Sequence, residues 1–392
     1  MKLSSANIFR GDRGIWIIIL FLFLYSVISV YSASAQLAFR SSSGSTTFFL
    51  LKQIFYLLIA VSAIVIVHNV PYKYFSRISV YLWYLSLALL VFTLIWGMNV
   101  NDARRWIQLP GGITFQTSDF AKLTLLMYLS RNLSLKEAEL KTFKGVLKKI
   151  FVPIVITCGL IFPEDLSTTV LLFGISMLLV IYSRVKLKFI AMMLAIVLGV
   201  GLMLLLAIKA YPDQGRFKTW NNRFESFMDP NDQENIQEVH SKIAVATGGL
   251  FGKGPGKSSQ RNILPHPYSD YIFAVIVEEL GLIFGAIPLI ALYLYLFLRS
   301  KKIVKKVNRK FGAYLTAGLS SLIVLQALSN MAVATNIFPV TGQSLPFVSY
   351  GGTSIFFTGI ALGIILSVSQ SVQEPAQEKS NNVETQNQEN DE

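Results

Sequence analysis

Apolar residues recur along this chain in runs of about 20 residues, separated by short polar stretches. A helix needs about 20 mainly apolar residues to cross the hydrocarbon core of a bilayer. The pattern therefore predicts an all-α polytopic membrane protein with about ten transmembrane helices and one long extracytoplasmic loop between helices seven and eight. The predicted segments lie near residues 15–33, 48–70, 75–98, 119–130, 150–163, 168–183, 189–209, 271–298, 311–334 and 351–371.

Composition favours a membrane protein over a soluble one. Hydrophobic residues make up 53% of the 392 residues, charged residues make up 15%, and the mean hydropathy is +0.53. A soluble chain usually has about 25% charged residues. The single cysteine, Cys158, excludes a disulfide framework and a cysteine metal site, and the three histidines are too dispersed in sequence to indicate a metal cluster.

The distribution of Lys and Arg predicts the orientation of the segments. With the N-terminus inside, the inner side holds 21 of these residues, whereas the short outer loops hold 3, namely Arg40, Arg104 and Arg105. Positive charge accumulates in short cytoplasmic loops, so residues 1–14 and the C-terminus are predicted to be cytoplasmic and the loop at about 210–269 to be extracytoplasmic. The formal charge of +13 thus reflects membrane topology rather than nucleic-acid binding.

The first segment has a second interpretation. Basic residues, an apolar core and the sequence Ala33-Ser34-Ala35 are typical of a cleaved signal peptide. The apolar core is longer than such peptides usually have, and the chain stays hydrophobic beyond it. We therefore favour an uncleaved membrane anchor.

Three carboxylates gather where the eighth segment begins, in the run LPHPYSDYIFAVIVEELG at residues 264–281. If this run is one transmembrane helix, Glu278 lies about 12 Å along the axis from Asp270, and both Glu278 and Glu279 lie deeper in the membrane. Carboxylates within a membrane are costly and mark functional sites. We interpret Asp270 as the chemical candidate and the two glutamates as a supporting polar network. The alternative is a plain helix start with Ser269 or Asp270 as N-cap.

Two more charged pairs are predicted near the outer side. Arg104 and Arg105 lie next to Trp106, and such a pair suits a phosphate or diphosphate ligand. The alternative for either arginine is snorkelling beside an interfacial tryptophan. The run LPGG that follows predicts a turn. Beyond it, Asp119 and Lys122 are spaced i, i+3 and can pair on one helix face, either as a structural ion pair or as a substrate contact.

Glu164 and Asp165 join the outer ends of the fifth and sixth segments. One interpretation is a capped turn, with Ser167 at the start of the following helix. The other is a pair of carboxylates that binds a cation or a polar substrate. The sequence leaves both open.

The long outer loop contains a polar stretch at 229–242, predicted as loop or short surface helix, and the glycine-rich run ATGGLFGKGPGKSS at 246–259. The run resembles a phosphate-binding loop, but phenylalanine stands where the Walker A pattern requires its first glycine, so we do not interpret it as an ATP site. We expect a flexible segment whose Lys253, Lys257 and Arg261 approach a lipid-linked diphosphate.

A second irregular stretch, NIFPVTGQSLPFVSYGGTS at 336–354, separates the last two segments. Irregular backbone at membrane depth is tolerated where it lines a cavity. We predict a re-entrant loop facing the outer vestibule, with Ser349 and Gly351 among the substrate contacts; a plain interhelical loop is the alternative. Residues 372–392 are acidic and rich in Gln and Asn, which predicts a disordered tail.

Four separated blocks together resemble one family. They are ARRWI…FQTSDFAKL, PEDLSTTV, the segment from GGLFGKGPGKSS to LPHPYSDYIFAVIVEELG, and PVTGQSLPFVSYGGTS. In these blocks the chain is similar to the SEDS family (shape, elongation, division and sporulation), which includes the FtsW and RodA types, and PVTGQSLP favours the FtsW type. Residues 15–371 would then form a SEDS-type transmembrane domain.

The resemblance implies an inverting glycosyltransferase that polymerises peptidoglycan from lipid II at the outer face of the bacterial cytoplasmic membrane, during division for the FtsW type. It also implies a class B penicillin-binding protein transpeptidase and other divisome proteins as partners. Asp270 matches the aspartate regarded as essential in the family, and Asp119 and Lys122 match charged positions of the motif Gln-Pro-Ser-Glu-x-Ala-Lys. The chain departs from that motif at Thr117 and Asp119, from Gln-Pro-Asp-Leu-Gly-Thr at PEDLST, and from His-Thr-Asp-Phe at HPYSDY.

Such a transfer needs a base for the attacking hydroxyl and positive charge for the departing diphosphate. We predict Asp270 as the base, and Arg104, Arg105 and the loop cations as diphosphate ligands; a divalent cation such as Mg²⁺ or Mn²⁺ is possible, and no protein metal site is predicted. A RodA-like elongation polymerase is one alternative. A flippase for lipid-linked precursors and a scaffold without chemistry are two others, and a flippase would need polar groups down to the inner side.

Overall fold

The computed structural model describes residues 10–34, 45–100, 103–109, 113–135, 138–210, 236–264 and 266–390. Each of the ten predicted apolar segments falls on helix. The helices are α1 (Arg13–Ala33), α2 (Thr46–His68), α3 (Lys73–Trp96), α4 (Thr117–Leu135), α5 (Phe143–Val146), α6 (Val152–Ile161), α7 (Leu166–Tyr182), α8 (Leu187–Ala210), α9 (Ile236–Gly248), α10 (Ile272–Gly281), α11 (Ile287–Lys306), α12 (Lys310–Ala334) and α13 (Gly352–Asn390).

The predicted all-α polytopic class is confirmed. Within the described ranges, six helical stretches are long and apolar enough to cross a membrane: α1, α2, α3, α10 with α11, α12, and the first part of α13. α7 and the first part of α8 are shorter apolar helices. The number of ten crossings therefore stays a prediction.

α12 lies at the centre of the bundle. Of its apolar window, 72% is buried inside the protein, and it contacts α4, α7, α11 and α13. α2 packs along α13, and α3 packs along α4. α1 also packs into the bundle, with Ile15, Ile18 and Leu22 fully buried. The uncleaved anchor stays a prediction.

A small antiparallel sheet, absent from the sequence prediction, stands between α3 and α4. Its strands are β1 (Met98–Val100), β2 (Ala103–Leu109) and β3 (Ile113–Gln116), in that order. Leu109 pairs with Ile113; residues 110–112 lie outside the described residues, so the turn at LPGG stays a prediction. Successive side chains of a strand point to opposite faces, which separates Arg104 from Arg105.

The eighth segment is two helices rather than the one helix predicted. Gly281 has a φ of 73°, which L side chains rarely adopt, and α10 ends there. A π-helical turn at 282–286 then folds back on α10: a Cβ at Gly285 would lie 2.9 Å from the carbonyl oxygen of Ile276. In a continuous helix these residues would be about 13 Å apart. The bend was missed because apolar residues continue on both sides of Gly281.

The long loop is more ordered than predicted over its described part, whereas residues 211–235 lie outside the described residues. The described part of the stretch 229–242, predicted as loop or short surface helix, lies in α9, which packs into the bundle: Ser241 is fully buried, and its hydroxyl donates to the carbonyl of Ala334 (2.6 Å). The glycine-rich run is fixed by backbone hydrogen bonds from Lys253 and Gly254 to the carbonyls of Glu278 and Glu279, 2.9 Å each.

The C-terminal tail also differs from its prediction. α13 continues to Asn390, whereas residues 372–392 were expected to be disordered. The cost of starting a helix falls on its first turn, so residues that follow a stable transmembrane helix can extend it without a new nucleus.

Candidate active site

Contacts along α1 show how α10 and α11 are placed along the bundle. At one end, Asp12 pairs with Arg299 of α11 (Oδ2 to Nη2, 2.6 Å). At the other, the Ser32 hydroxyl donates to the carboxylate of Glu279 on α10. α1 therefore runs antiparallel to α11, and Glu279 lies level with the last turn of α1. We call these the Asp12 end and the Ala33 end of the bundle.

Asp270 lies further inside the bundle than Glu278 and Glu279, the reverse of the predicted order. The Ser26 hydroxyl donates to the carbonyl of Val348 (3.0 Å), and the adjacent Ser349 hydroxyl donates to the carbonyl of Ser269 (2.7 Å). Ser26 precedes Ser32 by six residues, which places this level about 9 Å further from the Ala33 end. The reason is the bend at Gly281, which makes α10 run toward the Ala33 end.

The predicted re-entrant loop holds the main chain around Asp270. The Tyr350 amide donates to the carbonyl of Tyr268 (2.8 Å). Asn330 of α12 donates through Nδ2 to the carbonyls of Asp270 (2.8 Å) and Gln343 (2.7 Å). The backbone of Asp270 is thus fixed from two sides, while its carboxylate remains available.

Arg105 and Asp165 complete the charged part of the site. Arg105 donates through Nε to the carbonyl of Glu164 (2.8 Å), and its Nη1 lies 3.2 Å from Oδ2 of Asp165. A Cβ at Gly342, whose φ is 67°, would lie 3.7 Å from Oδ2 of Asp270 and 3.8 Å from Nη1 of Arg105. Asp270 and Arg105 therefore face each other across Gly342.

A polar relay connects the two sides of the site. Gln343 donates through Nε2 to the hydroxyl of Thr168, and the Thr168 amide donates to Oδ1 of Asp165 (3.0 Å). Asp165 is thus the N-cap of α7, as the capped-turn interpretation predicts, although the cap is Asp165 rather than Ser167. The same carboxylate holds Arg105 with its other oxygen.

The Asp270 carboxylate is half-buried, and the surrounding protein changes its acidity. Burial raises the pKa of Asp270 above its ordinary value, because a carboxylate loses solvation there. The hydroxyl of Ser269, which donates to Oδ1 (2.6 Å), and the positive charge of Arg105 act in the opposite direction. A carboxylate with a raised pKa is a stronger base than an ordinary aspartate.

Arg104 does not face Asp270. Its guanidinium donates to the last carbonyls of α3, those of Leu94 (3.3 Å) and Ile95 (3.0 Å), and its amide donates to the carboxylate of Glu164 (2.7 Å). These contacts satisfy helix-end carbonyls. The predicted diphosphate role therefore fits Arg105 and not Arg104. The Glu164 carboxylate holds strand β2, whereas its backbone carbonyl holds Arg105.

Glu278 and Glu279 fix the glycine-rich run, and they occupy two cations that were predicted as diphosphate ligands. Lys253 forms an ion pair with the fully buried Glu278. Arg261 donates through Nη1 to the hydroxyl of Ser32 (2.9 Å) and lies 3.9 Å from Oε1 of Glu279. These lysine and arginine side chains are structural because the buried carboxylates need counter-charges.

Lys257 differs from the other two loop cations. Its side chain is exposed on the turn formed by Gly254–Lys257, where the Lys257 amide donates to the carbonyl of Gly254 (3.2 Å). It forms no ion pair within the described part of the chain. A contact of Lys257 with a diphosphate stays a prediction.

Asp119 and Lys122 form the predicted i, i+3 pair, with Oδ1 2.7 Å from Nζ. Both side chains are buried and line a small cavity between α4, α12 and α13. Lys122 also donates to Oε1 of Gln326 (3.3 Å), and Gln326 donates to the carbonyl of Ser344 (3.1 Å). The pair thus reaches the re-entrant loop through Gln326, as a supporting network beside the site.

The two predicted contacts on the re-entrant loop have different outcomes. Ser349 is buried and accepts the Leu345 amide (2.8 Å) while it holds Ser269, so it positions the backbone and its hydroxyl is occupied. Gly351 is half-buried, and the space beside it is open: the nearest atom to an added Cβ would be the Cβ of Ser354, at 4.0 Å. Sequence reasoning missed Asn330, Gln343 and Gly342, although GQ within the irregular run was a signal for the last two.

An apolar groove of about 970 Å³ leads to the site. It lies between α7 and α12 and is closed by Phe273 of α10 and by the segment 337–341. Its polar end is near Asp270, because Thr341 precedes Gly342 and Leu166 follows Asp165 in the chain. Along its length the groove presents exposed apolar side chains, among them Val170, Leu178, Ile337 and Phe338. Such a groove suits an alkyl or prenyl chain whose polar head reaches Arg105.

A divalent cation would find few protein ligands at this site. In the ranges that the structure describes, no three side chains of His, Cys, Asp or Glu come together as a metal-binding group. Mg²⁺ in phosphate-binding sites usually takes one or two carboxylates together with substrate phosphates. Asp270 suits that role, whereas both oxygens of Asp165 are engaged, one by the Thr168 amide and one by Arg105. A cation here would therefore depend on the oxygens of a bound diphosphate.

A family model for FtsW, RodA and SpoVE, described as cell cycle protein, matches residues 12–374. The chain belongs to the FtsW/RodA/SpoVE family. The family assignment predicted from four motif blocks is thereby confirmed.

Relatives within the FtsW/RodA/SpoVE family are similar over nearly their full length. The probable peptidoglycan glycosyltransferase FtsW of Trichlorobacter lovleyi is 31% identical over 365 residues, 91% of this chain and 93% of the relative. The probable peptidoglycan glycosyltransferase FtsW of Bacillus subtilis is 30% identical over 358 residues, 89% of this chain and 88% of the relative.

Solved structures share the fold. A chain of a peptidoglycan synthase complex, studied for the coordination of polymerization and crosslinking, matches with a TM-score of 0.73 and 21% identity, over 92% of this chain and 98% of that chain. The rod shape determining protein RodA of Thermus thermophilus matches with a TM-score of 0.64 and 20% identity, over 92% of this chain and 97% of that chain.

Proposed function

We propose that this FtsW/RodA/SpoVE family member is a peptidoglycan glycosyltransferase that polymerises glycan strands from lipid II, with Asp270 as general base. The observation that carries the proposal is the half-buried carboxylate of Asp270, which faces Arg105 across Gly342 at the end of an apolar groove. The names of the FtsW relatives support the same reaction for this chain. PVTGQSLP, at 339–346, supports the FtsW type and hence septal synthesis.

The reaction joins two sugars with inversion at the anomeric carbon. The Asp270 carboxylate accepts the proton of an acceptor hydroxyl, whose oxygen forms the new bond to the anomeric carbon of the donor. The bond between that carbon and the diphosphate oxygen breaks, and its electron pair leaves with the lipid diphosphate. The raised pKa of Asp270 favours proton acceptance at neutral pH.

Arg105 would stabilise the charge that develops on the departing diphosphate. Its guanidinium is held by the Glu164 carbonyl and by Asp165, so it is oriented before the substrate binds. Preoriented charge of this kind stabilises a transition state without reorganisation. A bound divalent cation would supply further positive charge to the diphosphate oxygens.

The groove between α7 and α12 would hold part of the polyprenyl chain. Its volume and apolar lining suit a lipid. Because its lining residues Leu166 and Thr341 are next in sequence to Asp165 and Gly342, a diphosphate on a lipid bound there would lie near Arg105. Buried apolar contact stabilises binding by about 0.8 kcal/mol per CH₂. Lipid linkage of the donor is therefore part of the recognition.

Partners and location follow from the same proposal. A class B penicillin-binding protein is the proposed transpeptidase partner, supported by the fold shared with a chain of a peptidoglycan synthase complex. Other divisome proteins would bring the pair to the division site. The bias of Lys and Arg supports a bacterial cytoplasmic membrane location with both termini inside, and hence a site near the outer face.

The test uses the purified full-length protein with fluorescently labelled lipid II, with and without the transpeptidase partner. Polymerised glycan strands, separated by gel electrophoresis, are expected from the wild type and absent with Asp270→Asn. Glu139→Gln is the acid-to-amide control, since Glu139 is exposed and follows α4 at the far end of the bundle. Strands made by folded Asp270→Asn at the wild-type rate would refute the base role, and wild-type protein that makes no strands under either condition would refute the polymerase.

A further inference from the structure

A second cavity, separate from the site, lies at the Asp12 end of the bundle. It measures about 650 Å³ and is formed where α3 and α12 begin and α4 ends. Contacts around Gly312 show where the cavity lies along the bundle. A Cβ at Gly312 would lie 3.1 Å from Tyr72, which lines the cavity, and 3.2 Å from Val368 of α13. The Ser369 hydroxyl, one residue further on α13, accepts the amide of Asp12 (3.0 Å). This end faces the cytoplasm in the predicted topology.

Cationic side chains dominate this cavity. Five of its lining residues are basic, and none of the described lining residues is Asp or Glu: the basic ones are Lys73, Arg77, Arg131, Arg309 and Lys310. Nε of Arg131 is buried and has no hydrogen-bond partner in the described part of the chain. Like charges repel unless a counter-charge lies between them. The cavity therefore has the charge pattern of an anion site.

Helix termini add to the positive potential. α3 begins after Tyr72 and α12 begins after Arg309, and neither residue makes a side-chain capping bond. The N-terminus of a helix carries a partial positive charge, which acts here although the Tyr74 and Phe75 amides of α3 donate to the carbonyls of Pro71 and Tyr72. Two such ends meet at this cavity, together with the five basic side chains.

The rest of the lining is aromatic and aliphatic, from Tyr72, Tyr74, Leu135 and Phe311. We propose that this cavity binds the phosphate headgroup of an anionic phospholipid of the cytoplasmic leaflet. The basic side chains would take the phosphate, and the apolar lining would contact the glycerol and the first acyl carbons. Basic pockets between transmembrane helices at the cytoplasmic side bind anionic headgroups. A free phosphate ion would leave the apolar part unused.

The experiment uses full-length protein in nanodiscs of phosphatidylcholine with increasing phosphatidylglycerol, and native mass spectrometry to count retained phosphatidylglycerol. The test variant is Arg77→Gln/Arg131→Gln/Arg309→Gln. The matched control is Lys302→Gln/Lys305→Gln/Lys306→Gln, which removes three charges from the same end, on α11 and outside the cavity. The apparent affinity is expected to fall at least about tenfold in the test variant, whereas the control keeps most of it.

Three further measurements distinguish an anionic phospholipid from other occupants of the cavity. The retained lipid should decrease when salt rises from about 0.1 M to 0.5 M, because screening weakens charge contacts. If soluble glycerol phosphate binds as tightly as the lipid, the site is one for a free anion and the proposal is wrong. If phosphatidylglycerol is retained only by the variant Glu374→Gln/Glu378→Gln/Glu384→Gln, the acidic tail is the occupant of the cavity and the proposal is wrong. Equal loss in the test and control variants would also overturn the proposal.

Polymerisation by the test variant is a check on folding. Arg77, Arg131 and Arg309 lie at the far end from Asp270, so glycan synthesis from lipid II in phosphatidylcholine discs should match that of the wild type. If the triple variant does not fold, Arg131→Gln alone, judged by the same retention measurement, tests the one member with a buried, unpartnered nitrogen. No loss of retained lipid in a folded Arg131→Gln would contradict the site.

Discussion

Two carboxylates eight residues apart, Glu278 and Asp270, have opposite surroundings. Glu278 is fully buried and accepts hydrogen bonds from five donors: the ammonium of Lys253, two serine hydroxyls and two backbone amides. Asp270 is half-buried, and its one hydrogen bond among the described contacts of its carboxylate comes from the adjacent Ser269. The carboxylate with the most partners is structural, and the carboxylate with few partners is free for chemistry.

The difference has a physical basis in solvation, because burial removes the water that would stabilise an ionised carboxylate. A buried charge is stable only where hydrogen bonds and counter-charges replace water. Glu278 has those partners, and it uses them to hold the glycine-rich run against α10. Asp270 lacks them, so its charged form is disfavoured and its affinity for a proton rises. Predictions for the two residues therefore have opposite signs.

The largest expected effect is that of Asp270→Asn on polymerisation. We expect the rate of glycan synthesis to fall by about 10² to 10⁴-fold, the range for loss of a general base. The folded-state pKa of Asp270 is raised, so ionisation costs stability as pH rises above the ordinary aspartate value. Asn cannot ionise, so the variant should unfold at the same temperature as the wild type or higher. The measurements are the lipid II assay and thermal unfolding in detergent at several pH values.

Glu278→Gln should have the opposite profile. It removes the charge that pairs with Lys253 inside the protein, and breaking such a pair typically costs about 3 to 5 kcal/mol. We expect a lower unfolding temperature and a glycine-rich run that proteases cut faster, with glycan synthesis by the remaining folded protein close to normal. Asp270→Asn is the matched acid-to-amide control. If both variants lost stability equally, the contrast between the two carboxylates would be wrong.

The next largest expected effect is that of Arg105→Gln on the rate of glycan synthesis and on its pH dependence. Because burial raises the pKa of Asp270, the acid limb of the wild-type rate should lie above the ordinary aspartate value of about 4. Arg105→Gln removes a positive charge that favours the carboxylate, so the limb should move to still higher pH, and the maximal rate should fall by about 10² to 10³-fold.

Arg104→Gln is the matched control for Arg105. Its guanidinium contacts the carbonyls of Leu94 and Ile95, away from Asp270, so the acid limb should stay in place. The rate is measured from pH 4 to 9 with saturating lipid II. A shift of equal size in both arginine variants would mean that net charge, rather than the contact across Gly342, sets the pKa of Asp270.

The sequence predicted the helices well because transmembrane apolar runs are long and carry few charges. It also nominated Asp270, Arg105 and Asp165, since charged residues beside such runs are rare enough to notice. It misjudged the depth of Glu278 because the chain reverses at Gly281, where apolar residues continue on both sides. The reversal occurs at Gly281, which has a positive φ. The backbone of Gly281 also packs closely against Gly252, about 30 residues earlier in the chain, and local sequence does not show that contact.

The partners of the basic residues were the least predictable part of the site. Lys253 lies in a glycine-rich run that resembles a phosphate loop, and Arg261 lies two residues after it. The local sequence does not show that Glu278 and Glu279 pair with them. Arg104 and Arg105 are adjacent, and only the strand β2, itself unpredicted, sends them to opposite faces. Pairing across the fold requires tertiary contacts that a single sequence does not specify.

The smallest effect sharpens the comparison at Gly342, the residue between Asp270 and Arg105. Gly342→Ala places a Cβ within 4 Å of both charged groups and imposes a φ of 67° on an L residue, which costs about 1 to 2 kcal/mol. We expect a modest loss of stability and a several-fold lower rate, with KM raised more than kcat is lowered if the methyl group blocks the space between the charges. Gly351→Ala is the control, because a Cβ there meets open space and no positive φ is required. Equal rates for the two variants would show that the substrate does not pass between Asp270 and Arg105.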